Sequence, residues 1–270
     1  MAKDILTLKP EAVWRYFYDL TQIPRPTGQM DEVTRYVFEA GKKLGLETLQ
    51  DEVGNVLIRK PATPGMEKKP IITLQGHVDM VPQKNSDVQH DFAKDPIDAY
   101  IDGEWVTARG TTLGADNGIG VALALAILED NSLKHGPLEA LFTINEEVGM
   151  DGANGLKSGF CKGDILLNID SEVEGNLYIG CAGGIDVKVS LEYKDQETTS
   201  QEDQAVRLTL SGLKGGHSGV DIHIGRANAN KLMARFLKCA VEEFGVRVAS
   251  LEGGSMRNAI PREAFAVLTI

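Results

Sequence analysis

The sequence predicts an α/β protein, with a mixed-sheet domain over residues 1–183 followed by a smaller α+β domain over residues 184–270. Three observations predict it. Between Pro70 and Ile169, short apolar strands alternate with one apolar helix, the order used by layered α/β folds. Near residue 183 the pattern becomes two strands, a helix and two more strands. Finally, 270 residues with 42% hydrophobic and 25% charged side chains can bury two cores, which rules out disorder or a disulfide-stapled miniature scaffold.

The elements follow in order. Residues 10–22 carry apolar side chains at helical spacing, with Pro10 suited to the first turn, and Ile23-Pro-Arg-Pro-Thr-Gly28 stops that helix. Met30–Leu44 predicts a second amphipathic helix, ended by Gly45. Glu47–Asp51 and Asn55–Arg59 read as a strand pair around Gly54, and Lys60–Lys69 as a Pro/Gly/Lys loop. Pro70–Gln75 is a short apolar strand of the kind buried inside a mixed sheet. Gly118–Leu128 predicts a buried Ala/Leu helix, with strands at Leu138–Ile144 and Asp164–Ile169. In the second domain, Ile185–Tyr193 and Ala205–Ser211 alternate as strands around the polar stretch Lys194–Gln204. A helix over Gly225–Phe244 and strands at Val246–Leu251 and Ala264–Ile270 complete it. The sequence stops inside that last strand, which predicts a piece of a longer polypeptide.

Charge and composition exclude several functions. Basic residues number 28 and acidic residues 39, a formal net charge of −11, with none of the basic clusters that nucleic-acid binding rests on. The longest apolar run, Val121–Leu128, falls far short of the ~20 residues that span a bilayer. The N-terminus lacks a secretory pattern. Cys161, Cys181 and Cys239 are odd in number and widely spaced, which fits a reducing cytoplasm.

Three apolar strands run straight into metal-binding side chains: Ile71–Gln75 into His77 and Asp79, Leu141–Ile144 into Glu146 and Glu147, and Ile165–Ile169 into Asp170. Asp116 stands at the start of the buried helix. In open α/β sheets, ligands collect beyond the carboxyl ends of strands. His77 and Asp79 are two apart and face the same way in an extended segment, so Asp79 can accept from the imidazole N–H turned away from a metal. Adjacent Glu146 and Glu147 are expected to point opposite ways, one toward a cation and the other toward substrate as a base. Carboxylates this close repel, and a dication removes that cost. Singly, each residue has a plainer explanation: a core histidine, a helix cap, a solvated pair, the start of a turn. Jointly, at the ends of separate strands, they point to a metal. One imidazole and several carboxylates without thiolates suit Zn²⁺, with Mn²⁺ or Co²⁺ as alternatives.

These segments also carry a resemblance. Gly76-His-Val-Asp-Met80, Gly114-Ala-Asp-Asn-Gly118, Asn145-Glu-Glu-Val-Gly149 and Asn168-Ile-Asp-Ser-Glu172 resemble the successive motifs of the M20 metallopeptidases, most closely the aminoacyl-histidine dipeptidase branch. Lys214-Gly-Gly-His217-Ser-Gly219 and Gly253-Gly-Ser-Met-Arg-Asn-Ala-Ile-Pro261 extend the likeness along the whole chain. The resemblance implies hydrolysis of short peptides such as carnosine-like Xaa-His dipeptides, two Zn²⁺ per complete active site, a catalytic domain in residues 1–183, and a lid in residues 184–270 through which a homodimer forms. It implies that His77 and Asp170 bind one zinc, Asp116 bridges both and Glu147 binds the second. Glu146 would take a proton from the attacking water and pass it to the leaving amine, with Asp79 orienting His77. His217 would help to hold the tetrahedral oxyanion, in its own site or that of a neighbouring subunit. Arg257 and Asn258 match the segment that meets the substrate's carboxylate end, where a turn between strands is the other reading. Family members complete the second metal site with a histidine near the C-terminus, whereas His90, His135 and His223 lie outside any matching motif.

Two other classes compete. A dinucleotide-binding protein is suggested by the Gly-rich strand–helix junctions, but Gly114-Ala-Asp-Asn-Gly-Ile-Gly120 lacks the Gly-x-Gly-x-x-Gly spacing and Asp116 would repel a pyrophosphate. A truncated chain that keeps the fold without turnover is the second. Within the M20 class, a tripeptidase or an acyl-amino-acid deacylase is the nearest alternative.

Overall fold

The computed structural model describes residues 2–180, 183, 185, 187–197 and 203–270. They form two compact units, Met1–Cys181 and Ala182–Ile270. In the first, a 3-10 turn (Ala2–Thr7) leads into helices α1 (Glu11–Gln22) and α2 (Asp31–Lys43), then strands β1 (Glu47–Gln50), β2 (Val56–Lys60) and β3 (Ile72–His77). The hairpin β4 (Ala99–Asp102) and β5 (Trp105–Ala108) follows, then α3 (Ala115–Glu129), β6 (Leu138–Thr143), the single turn α4 (Asp151–Asn154) and β7 (Ile165–Asn168).

Five of these strands make a mixed sheet in the order β1-β2-β6-β3-β7. Strand β2 is antiparallel to both β1 and β6. Strand β3 runs parallel to β6 on one side and β7 on the other, with Ile72 opposite Leu138 and Ile165. The carboxyl ends of β3, β6 and β7 therefore meet at one edge. Helices α1 and α2 are amphipathic and turn Phe17, Leu20, Val33 and Val37 into the same core as Ile58, Leu74, Ala140 and Phe142. Helix α3 is apolar on nearly every side and contributes Val121 and Leu125 to that core. Gly45, at φ 71°, supplies the left-handed residue that ends α2, as the sequence leads one to expect.

Two features depart from the sequence reading. The hairpin β4–β5 lies in a stretch with no strand signal, since Tyr100 and Trp105 flank acidic turn residues. Conversely, no strand forms among the described residues of 185–193, where Val187, Val189, Leu191 and Tyr193 are exposed. Alternation says which side chains share a face, but a strand exists only where a neighbour accepts its hydrogen bonds. Residue 186 of that stretch lies outside the described residues.

In the second unit, β8 (Ala205–Leu210), a 3-10 turn (Ile222–Ile224), helix α5 (Ala229–Phe244), β9 (Arg247–Gly253) and β10 (Ala264–Thr269) follow in order. The three strands form an antiparallel sheet, β8-β10-β9. Met233 and Leu237 of α5 pack on Ala264, Ala266 and Leu268, and the Asn228 side chain caps α5 by accepting the Lys231 N–H.

Two buried charges stiffen the first unit. Lys60 extends its Nζ to the carbonyls of Ile127 and Asp130, at 3.3 and 2.6 Å, closing the C-terminal end of α3. Glu139 of β6 is 2% exposed, and its carboxylate accepts Arg59 Nε at 2.8 Å, the Thr73 hydroxyl at 3.1 Å and the N–H groups of Lys162 and Gly163. Burial opposes its ionisation, but Arg59 and those donors outweigh burial and hold the carboxyl below the ordinary glutamate range. Glu139→Ala is expected to lower stability at neutral pH by about 3 kcal/mol, because the Arg59 charge loses its buried partner. Since the folded pKa is depressed, the wild-type advantage is full above pH ~4.3 and disappears as pH falls through the folded value. Urea unfolding of both proteins at pH 7 and pH 3 checks it; an equal gap at both pH values contradicts the account.

Candidate metal centre

All six candidate residues of the first unit converge at the carboxyl edge of the parallel strands. His77, the last residue of β3, is 1% exposed. Its Nε2 lies 3.0 Å from Asp116 Oδ1 and 3.6 Å from Asp170 Oδ1. Its Nδ1 lies 3.4 Å from Asp79 Oδ1 on the other side of the ring. Single donor atoms of His77, Asp116 and Asp170 lie within 4.8 Å of one another, and so do those of His77, Glu146 and Glu147. Asp116 enters from the start of α3, where Gly114 at φ 73° turns the chain and the regular helix begins only after Asn117. Asp170 follows β7, with the Ile169 N–H bonded to the Gln75 carbonyl at 2.8 Å.

One expectation is corrected. Glu146 and Glu147 do not point to opposite sides, because the segment after β6 is not extended: Asn145 adopts φ 51° and a turn follows. Both carboxylates come within reach of His77. The turn is held by Asp79, whose fully buried carboxylate accepts the Glu146 N–H at 3.1 Å, the Glu147 N–H at 3.4 Å and the Thr27 hydroxyl at 2.9 Å. Asp79 thus holds the Glu146–Glu147 turn as well as the His77 ring.

The electrostatics follow from crowding. Burial opposes charging of His77, but hydrogen bonds to Asp116, Asp170 and Asp79 push its pKa up to about 12. Burial, with Asp116 next, pushes Glu147 up to about 7. Burial likewise raises Glu146 and Asp170, and their neighbouring acids add to it. Asp79 is the exception: burial works against its charge, yet His77 and its other donors hold it low. The acids outnumber the cations beside them, His77 and the buried Arg25, and a divalent ion among them would supply the missing positive charge. The donor set, one imidazole nitrogen and carboxylate oxygens, fits such an ion.

Sequence reasoning missed Asn117, Thr27 and Arg25. Asn117 is 2% exposed; its Oδ1 accepts the His77 N–H at 3.2 Å and its Nδ2 donates to the Ile169 carbonyl at 2.7 Å, tying β3 to the segment before Asp170. Arg25 is 1% exposed and donates to backbone carbonyls of the 78–79 and 114 segments. Its place between Pro24 and Pro26 was the only available signal, and it read as a helix stop.

In the second unit, the Gly215–Gly219 loop lies beside Asn258: the Ser218 N–H bonds the Asn258 carbonyl at 2.8 Å and the Ile260 N–H bonds the Gly216 carbonyl at 2.7 Å. His217 is exposed, and its Nδ1 accepts the N–H groups of Gly219 and Val220 at 3.0 and 3.1 Å. An accepting Nδ1 leaves the ring proton on Nε2, which points a donor outward. Arg257, adjacent to Asn258 in sequence, is exposed.

The acidic, imidazole-containing cluster lies at the carboxyl edge of a mixed sheet, where ligands of α/β proteins collect. Residues 73–256 match the model of peptidase family M20/M25/M40, and the chain belongs to that family. It is 53% identical over 267 residues to the cytosol non-specific dipeptidase of Escherichia coli K12, covering 99% of this chain and 55% of that protein. The crystal structure of aminoacylhistidine dipeptidase from Vibrio alginolyticus superposes with TM-score 0.66 at 50% identity, covering 100% of this chain and 56% of that one. The aminopeptidase PepT of Bacillus cereus shares the fold, with TM-score 0.51 at 18% identity over 96% of this chain and 65% of that one. The chain spans about half the length of the E. coli and Vibrio proteins.

If the cluster holds a cation, Zn²⁺ at 100 times its Kd is expected to stabilise the protein by about 2.7 kcal/mol. His77→Ala removes the donor common to both trios and is expected to abolish that gain. Thermal melts with and without Zn²⁺, Mn²⁺ or Co²⁺ test this, and wild-type melts indifferent to all three ions contradict a metal centre.

Proposed function

We propose that this chain carries the catalytic metal centre of a dipeptidase that hydrolyses short peptides, Xaa-His dipeptides among them. The observation that supports it is the convergence of His77, Asp116, Asp170, Glu146 and Glu147 at one sheet edge. The dipeptidase names of the E. coli and Vibrio relatives support the substrate class. In this reading residues 1–183 form the catalytic part and residues 184–270 a lid that also mediates a homodimer. His77 and Asp170 would hold one ion, Asp116 would be shared and Glu147 would serve a second; we assign Zn²⁺, with Mn²⁺ or Co²⁺ as alternatives. When bound, the ions polarise the scissile carbonyl and lower the pKa of the attacking water.

The chain's own residues do the rest. Glu146, raised toward neutrality by burial, is suited to take the water proton and return it to the leaving amine. Asp79 holds the Glu146 backbone and the His77 ring, so base and ligand keep a fixed relation. His217 is assigned to the developing oxyanion, in its own site or that of a neighbouring subunit, a contribution of ~2.7–4 kcal/mol for a donor of this kind. Arg257 and Asn258 meet the substrate's carboxylate. A cytoplasmic location accords with the E. coli relative's name, and no described helix is long and apolar enough to cross a membrane. The acidic balance of −11 argues against a nucleic-acid partner.

Glu146→Gln is expected to reduce kcat for a dipeptide by at least about 100-fold while metal content is unchanged. Hydrolysis of carnosine and Ala-His, paired with elemental analysis of both proteins, measures it. Near-normal turnover in the variant overturns Glu146 as the base.

A further inference from the structure

The buried Arg25 has no role in the chemistry above, yet it lies directly beneath it. Its Nη1 donates to the Val78 carbonyl at 2.9 Å and the Asp79 carbonyl at 3.2 Å, and its Nη2 donates to the Gly114 carbonyl. The first two carbonyls belong to the segment that carries His77 and Asp79; the third precedes Asp116 by two residues. The backbone reinforces the contact, because the Met80 N–H bonds the Arg25 carbonyl and the Thr27 N–H bonds the Met80 carbonyl, each at 3.2 Å. The fit is close. A Cβ on Gly118 would stand 2.5 Å from Nη2 and one on Gly114 2.6 Å, so the guanidinium is seated where α3 begins, against residues without side chains.

This placement is costly. Arg25 is 1% exposed and its Nε finds no acceptor among the described residues. Burial pulls its pKa down to about 10, against the opposing pull of Asp79 and Asp116, so it stays charged at neutral pH. A buried cation bonded only to carbonyls adds little stability that an apolar side chain of similar size would not match. What it does provide is geometry: a planar fork with donors on two sides joins two chain segments, which a single ammonium cannot do.

We propose that Arg25 is a positioning residue of the metal centre, clamping the His77–Asp79 segment to the Gly114–Asp116 segment so that the imidazole and the Asp116 carboxylate are held at coordinating distance. This rests on the metal-centre reading above. Its positive charge also attracts the Asp79 and Asp116 carboxylates.

The test compares the whole chain with Arg25→Lys, Arg25→Met and Gly118→Ala, the last of which displaces Nη2 while keeping the arginine. Circular dichroism establishes folding, calorimetry measures Zn²⁺ affinity, and the visible absorption of bound Co²⁺ reports ligand geometry. Folded variants are expected to bind Zn²⁺ at least tenfold more weakly and to shift the Co²⁺ band, with Arg25→Lys less affected than Arg25→Met. A folded variant with wild-type affinity and an unshifted band overturns the proposal. Failure of all three variants to fold also overturns it, in favour of a purely structural arginine. Wild-type protein that binds neither ion defeats the metal centre itself, a separate result from unchanged variants beside a binding wild type.

Discussion

The carboxylate of Asp79, removed entirely from water, is the contact on which the arrangement of the site depends. An isolated buried carboxylate is several kcal/mol unfavourable, so its donors must stay in place. Those donors come from three separated parts of the chain: the His77 ring, the backbone of Glu146 and Glu147, and the Thr27 hydroxyl. None of the three segments can move alone without exposing or orphaning that charge. Asn117 imposes the same restriction between His77 and Ile169, using neutral groups instead of a charged one.

The sheet explains why these segments meet at all. Parallel pairing of β3 with β6 and β7 brings three carboxyl ends side by side, and the residues that follow each strand enter the same space. That much was legible in the sequence, because His77, Glu146 and Asp170 each follow closely on an apolar run and polar ligands after buried strands stand out. The orientation of the glutamates was not. It turns on the positive φ of Asn145, which no periodicity reveals. Arg25, Thr27 and Asn117 were hidden for another reason: they act on groups 40 or more residues away, and their residue types are common in any loop. Glu139 is a lone charge in an otherwise apolar strand start until Arg59, Thr73 and the Lys162 and Gly163 amides are seen around it.

In the second unit the Gly-Gly-His-Ser-Gly loop shows how local geometry can select a chemical state. Two backbone amides occupy His217 Nδ1 and so decide which nitrogen carries the proton. The loop is braced by Asp221, which accepts the His217 N–H at 2.9 Å and lies 3.1 Å from Arg226. The sequence suggested a functional histidine here, but its tautomer follows only from the fold. Ile185–Tyr193 shows the converse, a strand pattern with no strand among its described residues.

The position of β7 has a practical consequence. Among the described residues it is the last strand of its sheet, and Ile165, Leu166 and Leu167 are between 45% and 59% exposed. Open amide and carbonyl groups beside aliphatic side chains make an adhesive border, to which another extended peptide can zip on through main-chain bonds. Concentrated solutions of this chain should therefore be handled as those of a self-associating material, and a lysine or proline introduced at that margin is the natural remedy.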